Sequence, residues 1–117
     1  GGALGIGIGD KIICFENTWY SVISPEGCAT ILFRDSKRAS EAADSMKVTA
    51  NDLLDLGIAD EILPEPQGGT HQDYDKSAET IKNSIINSIN ELECFTSEER
   101  VENRIKKYEK MGRWSNG

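Results

Sequence analysis

The sequence predicts an α/β chain that ends in amphipathic helices. Three observations carry this: a strand-to-helix corner at Tyr20–Ala29, short alternating elements up to about residue 70, and a helical apolar stripe from Ala78 to Leu92. At the corner, Tyr20, Val22 and Ile23 read as a strand. Ser24, Pro25 and Glu26 follow as N-cap, first helical position and acidic first turn. The start, Gly1-Gly2-Ala3-Leu4, sets a glycine pair before small apolar residues. Such a start leaves backbone amides bare at a helix N-terminus, facing an anion or a developing oxyanion. Two such features in 117 residues point to a site built from backbone groups.

Taken in order, Gly2 to about Ile8 reads as a helix that tertiary contacts must support, because each glycine costs it up to about 1 kcal/mol. Its glycines are expected to let it pack closely on a sheet while the first pair exposes amides to a reaction centre. Lys11 to Phe15 and Tyr20 to Ile23 read as strands on either side of a Glu16-Asn17-Thr18 turn. Pro25 to Phe33 reads as a helix with Ala29, Leu32 and Phe33 inward, and Asp35 or Ser36 caps a second helix through Met46. Thr49 with Asp52 has the form of a capping box, opening a helix at Asp52 to Leu56 that Gly57 stops. Glu61 to Leu63 is a short strand, and Pro64-Glu65-Pro66-Gln67-Gly68-Gly69 a loop, rigid and then flexible.

The tail differs. Ala78, Ile81, Ile85, Ile89 and Leu92 recur at spacings of three and four, while Lys82, Asn83, Asn87 and Asn90 lie off the stripe. This face covers either the body of its own subunit or a partner subunit. Thr96 and Glu99 form a second capping box before a charged helix to about Met111.

Composition narrows the function classes. A net charge of −7, from 20 acidic and 13 basic residues, excludes the clustered basic face that nucleic-acid binding needs. Lys106, Lys107, Lys110 and Arg113 are spread over a helical tail beside Glu98, Glu99, Glu102 and Glu109, as expected of a solvated face with local ion pairs. No apolar run approaches the roughly 20 residues of a membrane span, so no membrane-spanning helix is predicted, and the expected compartment is the cytoplasm or the plastid stroma. Cys14, Cys28 and Cys94 are odd in number and widely spaced, without Cys-x-x-Cys, so they read as buried small hydrophobes. His71, the one histidine, has no ligand at metal spacing and reads as a loop residue, so no metal is assigned. The glycines of Gly2-x-x-Gly5-x-Gly7-x-Gly9 lack the preceding strand and following acid of a dinucleotide fingerprint.

Three contiguous motifs carry a resemblance. They are Gly1-Gly2-Ala3-Leu4-Gly5-Ile6-Gly7-Ile8-Gly9-Asp10-Lys11, then Tyr20-Ser21-Val22-Ile23-Ser24-Pro25-Glu26-Gly27-Cys28-Ala29, and Ile62-Leu63-Pro64-Glu65-Pro66-Gln67-Gly68-Gly69-Thr70-His71. In order and spacing, from Gly1 to about Trp114, the chain resembles the alpha-subunit family of the bacterial and plastid acetyl-CoA carboxylase carboxyltransferase, over roughly its C-terminal third. The resemblance implies a crotonase-like (ClpP-like) spiral fold, with residues 1–70 as the C-terminal part of the catalytic core and 71–117 as a helical extension. It implies transfer of a carboxyl group from carboxybiotin, on a separate carrier protein, to acetyl-CoA, giving malonyl-CoA for fatty-acid synthesis. The implied partners are a carboxyltransferase beta subunit in a heterotetramer, the biotin carboxyl carrier protein and biotin carboxylase. Gly1 and Gly2 match the family's glycine pair at the oxyanion-hole helix start, and Ser24, Pro25, Glu26 and Gly27 match the corner that walls the cleft. Without the rest of the fold and the beta subunit, the chain is expected to be inactive.

Two other readings stand beside this one. A different crotonase-like acyl-CoA enzyme, a hydratase or isomerase, would use a carboxylate near the corner, for which Glu26 is the candidate. A non-catalytic helical interaction module would occupy Thr49 to Gly117.

Overall fold

The structure is a computed structural model that describes residues 1–112. It is a mixed helical chain around a small sheet: α1 (Gly2–Gly7), β1 (Ile13–Phe15), α2 (Pro25–Phe33), α3 (Ala39–Met46), α4 (Ala50–Asp55), β2 (Glu61–Leu63), α5 (Tyr74–Glu93) and α6 (Ser97–Glu109). The α/β class is as the sequence predicts. Strands β1 and β2 pair in parallel, with Ile13 opposite Glu61, Cys14 opposite Ile62 and Phe15 opposite Leu63. Parallel neighbours need a long crossover, and α2, α3 and α4 supply it.

Local chemistry sets most boundaries. Asp35 Oδ1 accepts from the Lys37 amide at 3.0 Å, opening a 3-10 turn at Ser36–Arg38 that leads into α3. Both capping boxes form: Thr49 with Asp52 opens α4, and Thr96 with Glu99 opens α6. In each, the threonine Oγ1 accepts from the acidic residue's amide, at 3.3 Å for Asp52 and 3.2 Å for Glu99. Helix α4 starts at Ala50, two residues before the expected Asp52, because helical geometry begins directly after the N-cap. Gly57, at φ +73°, turns the chain after α4.

Tyr20–Ile23 is not a strand. The Ser21 hydroxyl donates to the Ile23 carbonyl at 2.8 Å and accepts from the Ile23 amide at 3.3 Å. This serine side chain takes the backbone groups that a ladder would use. Only Trp19 bridges, antiparallel, to Thr49, with the Tyr20 amide on the Val48 carbonyl at 3.2 Å.

The core is thin. Its buried apolar residues are Ile12, Ala29, Ala42, Val48, Ala50, Leu53, Ala59 and Leu63, and half of them are alanine. Ala29 faces inward in α2 as expected, but Leu32 is exposed and Phe33 only half-buried. On α5 the inward face is Ser77, Ser84 and Ser88, whereas Ile81, Ile85, Ile86 and Ile89 are exposed. The stripe is therefore only partly covered by the body of this chain, with Ile81 and Ile85 lining a cavity against β1 and Leu63. The radius of gyration is 16.8 Å, against about 13 Å for a compact domain of this length.

Candidate active site

Helix α2 starts as its sequence dictates. Ser24 is extended, at φ −74° and ψ 158°, and its Oγ accepts from the Gly27 amide at 3.2 Å. Pro25 takes the first turn, where a missing N–H costs nothing. A Cβ on Gly27 would lie 2.8 Å from Ile23 Cγ1. Glycine thus lets Ile23 fold back onto the first turn, which sharpens the corner. An open cleft of about 360 Å³ lies beside it, lined by Trp19, Ser21, Val22, Ile23, Ser24 and Pro25. Glu26, exposed, and Gly27 follow on the first turn of α2.

Gly1 and Gly2 are exposed at the start of α1. Gly1, as N-cap, offers no side-chain acceptor, and the first intrahelical bond runs from the Gly5 amide to the Gly1 carbonyl at 3.1 Å. The earlier amides of the turn thus have no acceptor within the helix. Helix α1 buries none of its residues, and a Cβ on Gly1, Gly2 or Gly5 would meet nothing within 4 Å. The expectation that these glycines seat a helix on a sheet is corrected: no packing among the described residues requires glycine at these three positions. Gly7 differs, since a Cβ there would lie 3.1 Å from the Tyr20 hydroxyl and 3.7 Å from that of Tyr108.

Tyr20 joins the two features. It stands four residues before Ser24, and its hydroxyl donates to the Ala3 carbonyl in α1. Sequence reasoning placed Tyr20 in a strand and missed this hydroxyl. It also missed Arg104, whose Nη1 donates to the Ile8 carbonyl at 3.1 Å and whose Nε lies 3.6 Å from Asp10 Oδ1. Three glycines in a six-residue helix were the available signal, because such a helix needs partners elsewhere in the chain.

Other candidates fall outside this region. His71 is exposed in a 3-10 turn at Thr70–Gln72. Among the described residues no group of three or more His, Cys, Asp or Glu could hold a metal ion. The cysteines are free, but Cys94 is exposed and Cys14 and Cys28 are half-buried, which corrects the expectation that all are core residues. Burial raises the Cys14 thiol above its ordinary value. In α6 a local pair forms as expected, Lys106 to Glu102 at 2.7 Å, but Lys107 reaches off its helix to Asp60. Arg113 and Trp114 lie outside the described residues. Among those described, no helix is long and apolar enough to cross a membrane.

The family model described as acetyl co-enzyme A carboxylase carboxyltransferase-like matches residues 1–112. The chain belongs to this family. Its relatives include acetyl-coenzyme A carboxylase carboxyl transferase subunit alpha of Oceanobacillus iheyensis, 54% identical over 112 residues, which are 96% of this chain and 35% of the relative. The same subunit of Staphylococcus epidermidis is 50% identical over 112 residues, 96% of the chain and 36% of the relative. That of Thermus thermophilus is 45% identical with the same coverage. The chain thus spans about a third of the length of these carboxyltransferase relatives.

Proposed function

We propose that this chain is the C-terminal part of the carboxyltransferase alpha subunit of an acetyl-CoA carboxylase, and that the whole subunit has a crotonase-like fold. Residues 1–70 then belong to the catalytic core, and the extension from residue 71 on carries α5 and α6. The observation that carries the reading is the family match over residues 1–112, which contain the glycine start, the Ser24–Gly27 corner and the Gly68-Gly69-Thr70-His71 loop. The relatives named above are all carboxyl transferase alpha subunits, none a hydratase or isomerase.

In this reading the partners are a beta subunit, in a heterotetramer, with biotin carboxylase and the biotin carrier protein. Carboxybiotin on that carrier supplies the carboxyl group that acetyl-CoA receives, giving malonyl-CoA. The cleft at the corner suits a small flat heterocycle: Trp19 and Val22 present exposed apolar surface, and Ser21 and Ser24 bring hydroxyls. Negative charge develops on the biotin ureido oxygen as the carboxyl group leaves, on the side that the alpha subunit is read as serving, and on the thioester oxygen as the acetyl-CoA methyl proton is lost. In this reading the amides at the Gly1-Gly2 start donate to such an oxygen, needing no titratable group and little reorganisation. Ser24, Pro25, Glu26 and Gly27 wall the cleft and fix how the chain enters α2. Because the chain holds only one side of such a site, it is inactive alone.

The test is the reverse reaction. Full-length alpha subunit, beta subunit, free biotin and malonyl-CoA should release acetyl-CoA, with both subunits required. No release from the complete mixture, or hydration of an enoyl-CoA by the alpha subunit alone, would contradict the reading.

A further inference from the structure

We propose that Tyr20 and Arg104 are positioning residues that clamp the glycine helix α1 at two levels and so set the direction of its N-terminal amides. The inference rests on the catalytic reading of the Gly1-Gly2 start given above.

Helix α1 cannot hold itself. It has six residues, three of them glycine, and buries none. An isolated helix of this length is far below the roughly 12 to 15 residues at which helices become marginal in water. Its attachments therefore determine where its first turn points.

Two attachments come from distant parts of the chain. The Tyr20 hydroxyl donates to the Ala3 carbonyl, in the first turn of α1, and lies against the bare Cα of Gly7. At the other end, Arg104 of α6 donates from Nη1 to the carbonyl of Ile8, the C-cap of α1, at 3.1 Å. That position favours a cation, because the last carbonyls of a helix carry partial negative charge and lack intrahelical donors. The same guanidinium lies with Nε 3.6 Å from Asp10 Oδ1, an atom that is buried and has no hydrogen-bond partner among the described residues. A buried carboxylate oxygen is costly without a nearby cation, so Asp10 holds Arg104 over the helix end. The planar fork reaches the carbonyl and the carboxylate together, which a lysine cannot do with equal geometry. Tyr108, one turn further along α6, brings its hydroxyl to Gly7 as well.

The chain thus places the corner segment on one level of α1 and the C-terminal helix on the other. Gly7 is the residue that permits it, since any side chain there would meet the Tyr20 hydroxyl at 3.1 Å.

The experiment uses full-length alpha subunit assembled with beta subunit and compares Tyr20→Phe, Arg104→Gln and Arg104→Lys with the unaltered protein. Hydrogen exchange of residues 1–9, thermal stability, and kcat and KM for biotin-dependent malonyl-CoA decarboxylation are measured on each. Tyr20→Phe and Arg104→Gln should speed exchange in α1 by roughly two- to tenfold, the worth of one hydrogen bond. They should lower kcat per folded molecule toward the about 100-fold that a misplacement of about 1 Å costs, with KM unchanged. Arg104→Lys should recover part of both. Unchanged exchange in residues 1–9, or faster exchange with kcat unchanged, would overturn the clamp. So would a loss of activity that only follows the loss of folded protein. Failure of the carboxyltransferase reading is distinct, because the unaltered assembly would then release no acetyl-CoA.

Discussion

Replacing Ile85 by Asp probes the exposed face of α5. Ile85 keeps 47% of its surface accessible and lines, with Ile13, Cys14, Phe15, Leu63, Ile81 and Ser84, an apolar cavity of about 270 Å³ between α5 and the sheet. Full burial of an isoleucine is worth about 1.5 to 3 kcal/mol, so roughly half is realised within this chain and half awaits a covering surface. Asp forfeits both halves and adds about 1 to 3 kcal/mol for a desolvated polar group, a total of about 2.5 to 6 kcal/mol. At about 2 to 4 °C per kcal/mol for a larger chain, the melting temperature of the assembled enzyme should fall by at least about 5 °C. Differential scanning calorimetry and size-exclusion chromatography of the full-length complex provide the readout, with Lys82→Asp, off the stripe, as control. An unchanged melting temperature and elution volume for Ile85→Asp would show that nothing covers this face and would refute the reasoning.

Gly2→Val in the full-length, beta-bound enzyme should give a folded complex with turnover down roughly 10²- to 10³-fold, as for loss of an oxyanion-hole donor. Its pH optimum should not move, and near-normal turnover per folded molecule, by active-site titration, would reject the catalytic role. Ser84, buried in α5, donates from Oγ to Glu61 Oε2 at 2.7 Å. Ser84→Ala should cost about 1.5 to 2 kcal/mol in urea denaturation, the lower part of the range for a bond to a charged acceptor because Glu61 is half-exposed and rehydrates. Lys106 holds the Glu102 carboxyl below the usual glutamate range and is itself raised by Glu102. Their pairing is therefore fully present above the ordinary glutamate pKa, fades as pH falls through the lowered value, and fades again as pH rises through the raised lysine value. An NMR titration of Glu102 should show a midpoint below the usual range, and an ordinary midpoint would contradict the pair.

Features decided by neighbours in sequence were legible, while those decided by distant partners were not. Ser24, Thr49 and Thr96 each cap a helix through an amide three residues on, so the pattern of residues contains the whole interaction. Tyr20–Ile23 has strand composition, yet the Ser21 hydroxyl competes locally for its backbone, and apolar alternation does not register that competition. On α5 the periodicity found the apolar stripe correctly but not its direction. Ser77 and Ser84 lie inward, where Ser77 bonds the Thr70 and Asp73 carbonyls and Ser84 bonds Glu61, contacts that hydrophobicity does not encode. The glycine pair was visible as a motif, but its support from Tyr20 and Arg104 spans 17 and 96 residues of chain, far beyond any local pattern.

The carboxyltransferase reading is tested most directly by following labelled carbon. Carrier protein bearing labelled carboxybiotin is mixed with acetyl-CoA, full-length alpha subunit and beta subunit, and the products are separated. The account predicts label in malonyl-CoA when both subunits are present, and label left on the carrier when either is omitted or when the 117-residue chain replaces the full alpha subunit. Label that stays on the carrier in the complete mixture, or that reaches malonyl-CoA with beta subunit alone, would contradict it.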